Sequence, residues 1–214
     1  MSKVMIAPSI LSANFAKMGE EIIDLEKCGA DIIHCDVMDG VYVPNITFGI
    51  KMVADIRPLT SLPLDVHLMI VEPEKYVERF IDAGADFVTF HPEASKDAHL
   101  TIKKIKDKGA KAGIVLNPDI PVSVAKEYID EIDMLLLMSV FPGFGGQKFI
   151  ESVLDKIVEA KELIGDRNID LEIDGGINTA NVSEVTRRGV NMVVAGNTVF
   201  KAPDRKQIIA ELRK

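Results

Sequence analysis

The chain alternates, eight times over, between a short apolar run and a longer amphipathic stretch. The runs are VMIAPS (4–9), DIIHCDV (31–37), PLDVHLM (63–69), DFVTFH (86–91), KAGIVLN (111–117), DMLLLMS (133–139), IDLEID (169–174) and NMVVAG (191–196). Each is apolar through its middle, the pattern of a parallel strand covered by helices. Between them, FAKMGEEIIDLEKC, PEKYVERFIDA, LTIKKIKDK, VSVAKEYID and FIESVLDKIVEAKELI carry helical periodicity. Glycine punctuates the repeat. CGAD (28–31), AGAD (83–86), KGAK (108–111) and RGVN (188–191) each place it after a helix and before a strand. That is the position where a helix ends in a left-handed residue.

Eight βα units in 214 residues predict one domain over 1–214, an α/β fold built as a single (β/α)₈ TIM barrel. No Pro-rich, Ser/Gly-rich or low-complexity stretch divides the chain. An open doubly wound sheet is the structural alternative. It calls for GxGxxG after the first strand, and that motif is missing there.

Charge and cysteines narrow the function classes. The formal net charge is −8 and no basic stripe is present, which argues against nucleic acid or an anionic membrane as partner. An anionic substrate then needs a local electropositive site, from backbone N–H groups or a metal ion. Cys28 and Cys35 have no CxxC spacing and form no disulfide framework. The N-terminal MSKVMIAPSILSANF lacks a signal-peptide layout, and no apolar run approaches membrane-spanning length. A cytoplasmic protein is expected.

Barrel chemistry sits at the C-terminal ends of the strands. Those ends read Ser9, His34 with Asp36, His67, His91, Asn117, Met138 with Ser139, Asp174, and Gly196 with Asn197. Of the four histidines, His99 alone falls in a helical pattern, where it reads as solvated. His34 and Asp36 are two apart on one strand and share a face. His67 ends the next strand, and Asp174 ends the seventh, three positions round the ring. Taken singly, each reads equally well as a hydrogen-bonded core histidine or a helix cap. Together they form a plausible N₂O₂ site for one divalent ion: Zn²⁺, Fe²⁺, Mn²⁺ or Co²⁺.

Glycine clusters give a separate signal. Gly143-Phe144-Gly145-Gly146 follows the sixth strand, Asp174-Gly175-Gly176 ends the seventh, and Ala195-Gly196-Asn197 opens the last helix. Glycine lets backbone approach a phosphate closely, so a barrel of the phosphate-binding type is expected. Met38, Met69 and Met138 sit at or just past strand ends, either as core filling or as a flexible apolar cover for the pocket. His91 and Asn117 are further candidates for its lining.

These segments resemble the ribulose-phosphate 3-epimerase family along essentially the whole chain. The resemblance lies in APSILSANF (7–15), HCDVMDGVYVPN (34–45), DVHLMI (65–70), TFHPEA (89–94), LNP (116–118), LLMSVFPGFGGQKF (136–149), EIDGGIN (172–178) and VAGNTVF (194–200). It implies a (β/α)₈ barrel that interconverts ribulose 5-phosphate and xylulose 5-phosphate. It implies a divalent metal on His34, Asp36, His67 and Asp174, with Asp36 and Asp174 as the acid/base pair. It also implies substrate contacts from Ser9, His67, Asp174, the 143–146 loop, Gly175, Gly176, Gly196 and Asn197, and a homo-oligomer. The chemistry that this resemblance implies is two-base epimerisation at C3 through a metal-stabilised enediolate. Val41, Phe141 and Asn197 depart from residues common in the family, which leaves open a related branch acting on allulose 6-phosphate. A decarboxylase or aldolase-type barrel calls for a catalytic lysine at a strand end, and no strand here ends in one. A non-catalytic sugar-phosphate sensor is the remaining alternative.

Overall fold

The computed structural model describes residues 4–214; the first three residues of the N-terminal segment lie outside the described residues. All eight expected strands form: β1 (Met5–Ala7), β2 (Ile33–Met38), β3 (Leu64–Met69), β4 (Phe87–Phe90), β5 (Lys111–Leu116), β6 (Met134–Met138), β7 (Asp170–Asp174) and β8 (Met192–Val194). They pair in parallel in the order β1-β8-β7-β6-β5-β4-β3-β2. A parallel bridge between Ser9 and His34 brings the segment after β1 onto β2. The sheet is thereby nearly closed into a (β/α)₈ barrel.

The helices are α1 (Met18–Lys27), α2 (Ile50–Ile56), α3 (Val77–Asp82), α4 (Ala98–Asp107), α5 (Val153–Ile164), α6 (Val182–Arg187), α7 (Asn197–Phe200) and α8 (Arg205–Leu212). Their distribution differs from one helix per strand. The VSVAKEYID segment after β5 forms a 3₁₀ stretch, Val122–Glu127, instead of an α-helix. Pro121 precedes it and two β-branched valines lie within it, so the local preference for α-helix is weak. Two helices follow β8, so Asn197 opens the one-turn α7, and the last helix begins only at Arg205. The four junction glycines, Gly29, Gly84, Gly109 and Gly189, all have φ between 84° and 117°, the left-handed termination the sequence predicts.

Strand residues facing the helices join the helices' apolar stripes in one large core that includes Ile33, Cys35, Val66, Leu68, Ile114, Leu135 and Leu137. Residues of the opposite set fill the barrel. Ala7, Ile32, Phe87, Met134, Met192 and Val194 make an apolar cluster there. Above it the barrel turns polar: His34, Asp65, His67, Thr89 and Glu172 are all fully buried.

Candidate active site

Strand register sets the level of each polar side chain. Asp36 pairs with His67 across β2 and β3, and His34 pairs with Asp65 one step below. Met138 pairs with Asp174 across β6 and β7. The two-residue period then points His34 with Asp36, Asp65 with His67, and Glu172 with Asp174 into the barrel.

Four of the expected residues converge. Ligand atoms of His34, Asp36, His67 and Asp174 lie within 4.8 Å of one another. Asp36 Oδ1 is 3.3 Å from His34 Nε2 and 3.4 Å from His67 Nδ1. Both nitrogens are buried without a hydrogen-bond partner. Ligands of a tetrahedral ion with bonds of ~2.0–2.1 Å stand roughly 3.3 Å apart, so these separations suit one. His34 is held from behind: its Nδ1 is 2.6 Å from Asp65 Oδ2 and 3.8 Å from Glu172 Oε1. A proton on Nδ1 leaves the Nε2 lone pair for a cation. Ser9 Oγ donates to Asp36 Oδ2 at 2.5 Å, which orients the other oxygen toward the histidines. The residues present therefore fit a divalent cation.

The two aspartates titrate in opposite directions. Burial alone would raise Asp36, but the charge of His34 and the close approach of the His34 and His67 rings hold it far below the usual carboxylate range. Burial, reinforced by the negative charge of Asp36, pushes Asp174 up to about 7. Burial also raises Glu172 well above its ordinary value, with Asp65 adding to the effect. Carboxyls pushed apart in this way are suited to opposite acid and base roles.

These raised carboxyls predict a pH response in protein stripped of metal. An unfolded Asp titrates near ~3.9, below the folded value of Asp174, so over the interval between them the folded state binds more protons. Stability is then full below the unfolded value and is lost as pH rises through the folded one. Glu172 acts in the same sense. Thermal unfolding of chelator-treated protein is expected to show Tm falling from about pH 6.5 to pH 8, above the range in which His67 and His91, both lowered by burial, act in the opposite sense. Protein loaded with a divalent ion should lose that slope, because the cation offsets the crowded negative charge. A rising Tm in stripped protein over this range would contradict the protonated state of these acids.

A cavity of about 300 Å³ opens over the cluster. Ser9, Asp36, Asp174, Met38, Met69 and Met138 line it, with Gly143, Phe144, Gly145 and Gly146 of the long loop after β6. Gly175, Gly176, Gly196 and Asn197 complete the expected set, and Lys201 adds a cation. The glycine loop is braced. Gln147 Nε2 donates to the carbonyls of Phe141 and Phe144, and Asn45 Nδ2 donates to that of Gly143 at 2.8 Å. Ser139 is fully buried, with its hydroxyl donating to Asp174 O and Gly175 O, so it pins the turn and does not face the cavity.

Gly176 shows why this wall is glycine. Its φ is +65°, and a Cβ there would lie 2.5 Å from Phe149 N and 2.9 Å from Gln147 O. Gly176→Ala is expected to cost about 1–3 kcal/mol in denaturant unfolding and to raise KM for a phosphorylated substrate. An unchanged midpoint and KM would remove the tight packing from the account.

Several expected residues lie elsewhere. His34 and His67 are fully buried behind Asp36, so His67 is placed with the cation cluster and not on the cavity wall. His91 stands behind His67, and Asn117 bonds Tyr42 and Glu93; neither lines the cavity. Val41 and Phe141 are 72% and 52% exposed and also lie off the wall, leaving Asn197 as the one departure inside it. His99 is not simply solvated: its ring nitrogens face Glu131 at 2.8 Å and Glu127 at 3.3 Å. Sequence reasoning missed Asp65 and Glu172. Each stands two residues before a candidate ligand on the same strand, the spacing that joined His34 to Asp36.

The description "Ribulose-phosphate 3 epimerase family" matches residues 5–200. The chain belongs to this family. It is 53% identical over 213 residues to the ribulose-phosphate 3-epimerase of Bacillus subtilis (strain 168), covering 98% of each chain. It is 50% identical over 216 residues to the chloroplastic ribulose-5-phosphate-3-epimerase of Arabidopsis thaliana, covering 99% of this chain and 77% of that one. Membership makes this protein an isomerase-class enzyme. At 15% identity, KGPDC from Streptococcus mutans shares the fold with a TM-score of 0.77, covering 99% of this chain and 96% of that one. Among the described residues no helix is long and apolar enough to cross a membrane.

Proposed function

We propose that the protein epimerises D-ribulose 5-phosphate and D-xylulose 5-phosphate at C3, with one divalent cation held by His34, Asp36, His67 and Asp174. One observation carries the reading. Two carboxyls from β2 and β7 share one cavity, beside two buried histidine nitrogens that lack partners. The names of the relatives supply the substrate class. A cation bound there would polarise the ketone and make the neighbouring C3 proton more acidic.

Inversion at carbon requires one group to take a proton and another to return one from the opposite face. Asp36, held ionised by its histidine neighbours, is the base for one epimer. Asp174, which faces the same cavity from β7, is the matching acid, and the roles exchange in reverse. Ser9 keeps Asp36 in place through its hydrogen bond. Met38, Met69 and Met138 cover the reacting carbon with apolar surface, which disfavours water beside a carbanion-like species. Gly146, Gly176, Gly196 and Asn197 offer close-approach backbone for the phosphate.

Comparing kcat/KM for ribulose 5-phosphate and allulose 6-phosphate on metal-defined protein tests the substrate. The pentulose is expected to be preferred, with solvent deuterium entering C3 of the product. Higher kcat/KM for the hexulose would replace this reading, and no C3 exchange with either sugar would favour a binding protein.

A further inference from the structure

A line of polar side chains runs from His67 away from the cavity to the loop after β2. His67 Nε2 lies 3.0 Å from His91 Nε2, and both rings are fully buried. At that distance one ring must donate and the other accept. The far nitrogen of His91 decides which. His91 Nδ1 faces Glu93 Oε1 at 3.6 Å, a charge contact rather than a hydrogen bond. A carboxylate there favours the tautomer with the proton on Nδ1. His91 Nε2 then accepts, His67 Nε2 donates, and His67 Nδ1 keeps a bare lone pair. That nitrogen is the one 3.4 Å from Asp36 Oδ1.

Glu93 is itself held. Tyr42 Oη donates to its Oε1 at 2.8 Å, and Asn117 Nδ2 donates to the same oxygen at 3.1 Å and to Tyr42 Oη at 2.8 Å. The Tyr42 ring packs on His91 with centroids 4.7 Å apart. The direction of this bias matters. Left alone, the nearby Asp36 carboxylate would draw the His67 proton onto Nδ1 and block a cation. Burial would be served by either tautomer; the relay from Glu93 favours the one a cation needs.

We propose that His91 and Glu93 are positioning residues that fix His67 as its Nε2–H tautomer, keeping Nδ1 free for a divalent cation. The inference rests on the metal reading given above. Its test is Co²⁺ and Zn²⁺ affinity of chelator-stripped protein, by competition with a chromogenic chelator, for wild type, His67→Ala, Glu93→Gln, His91→Leu and His91→Gln. Wild type is expected to bind one ion. Glu93→Gln and His91→Leu are expected to bind ~10–100-fold more weakly and to alter the Co²⁺ visible spectrum, with wild-type circular dichroism. His91→Gln should recover affinity over His91→Leu, because Glu93 can accept its amide N–H and turn its oxygen toward His67. Wild-type affinity in both Glu93→Gln and His91→Leu overturns the proposal while the metal site stands. Failure of wild type to bind, or wild-type binding by His67→Ala, overturns the metal reading and this inference with it. Should His91→Leu fail to fold, Glu93→Gln decides, since that side chain is partly exposed.

Discussion

Asp36→Asn and Asp174→Asn should each fold and each lose at least ~10²-fold in kcat. The substitutions are isosteric, and the surrounding hydrogen bonds and packing stay largely in place. The two variants should fail differently. Each carboxyl serves one face of the substrate, so each variant should lose C3 proton exchange from a different epimer. In Asp174→Asn, Asp36 can still remove and return a proton on its own face, washing deuterium into one epimer without inverting it. Mass spectrometry of both sugars incubated in deuterated water measures this. Identical exchange patterns in the two variants would exclude two opposed bases. Asp36→Asn should be the more damaged protein, because Asp36 also contacts both histidines and accepts from Ser9.

Removing the cation is the second large perturbation. Chelation should abolish turnover by at least ~10²-fold, and adding back Zn²⁺, Fe²⁺, Mn²⁺ or Co²⁺ should restore it to different extents. The donor set of two imidazoles and two carboxylates suits all four ions. Chelation should also lower Tm, because a ligand that binds only the folded state stabilises it by mass action. Full activity after exhaustive chelation, with metal analysis below stoichiometry, would sink the assignment of this cluster. Unchanged Tm together with lost activity would point to an ion bound elsewhere.

Individual residues show how far periodicity carries. Every strand formed within a few residues of its apolar run, because burial on both faces demands continuous apolar sequence. The junction glycines were legible for the same kind of reason, since left-handed backbone admits few alternatives. The helical spacing of VSVAKEYID suits either helical form, and only Pro121 and the two valines weigh against the α-helix. Asn197 opens the one-turn α7 and not the last helix; Pro203 and the N-cap Asp204 mark the break locally, a signal that reading the 195–197 glycine turn alone leaves out. Within the site, His34, Asp36, His67 and Asp174 stood out as polar residues ending apolar strands. Asp65 and Glu172 did not, because a mid-strand carboxylate looks the same whether a histidine meets it or water does.

Strand number, the inward face of each strand and the residue types at the barrel mouth are written in the chain's own order, since they depend on spacings of two to four residues. The pairing of Asp36 with His67, the 2.6 Å contact from His34 to Asp65 and the His67–His91–Glu93 line depend on register between separate strands. Register follows from closing the barrel and packing its interior, where all strands constrain one another at once. The same closure splits the two aspartates, one held low and one pushed to about 7. A carboxyl's proton affinity is set by which charges and how little water surround it, and those neighbours come from distant parts of the chain.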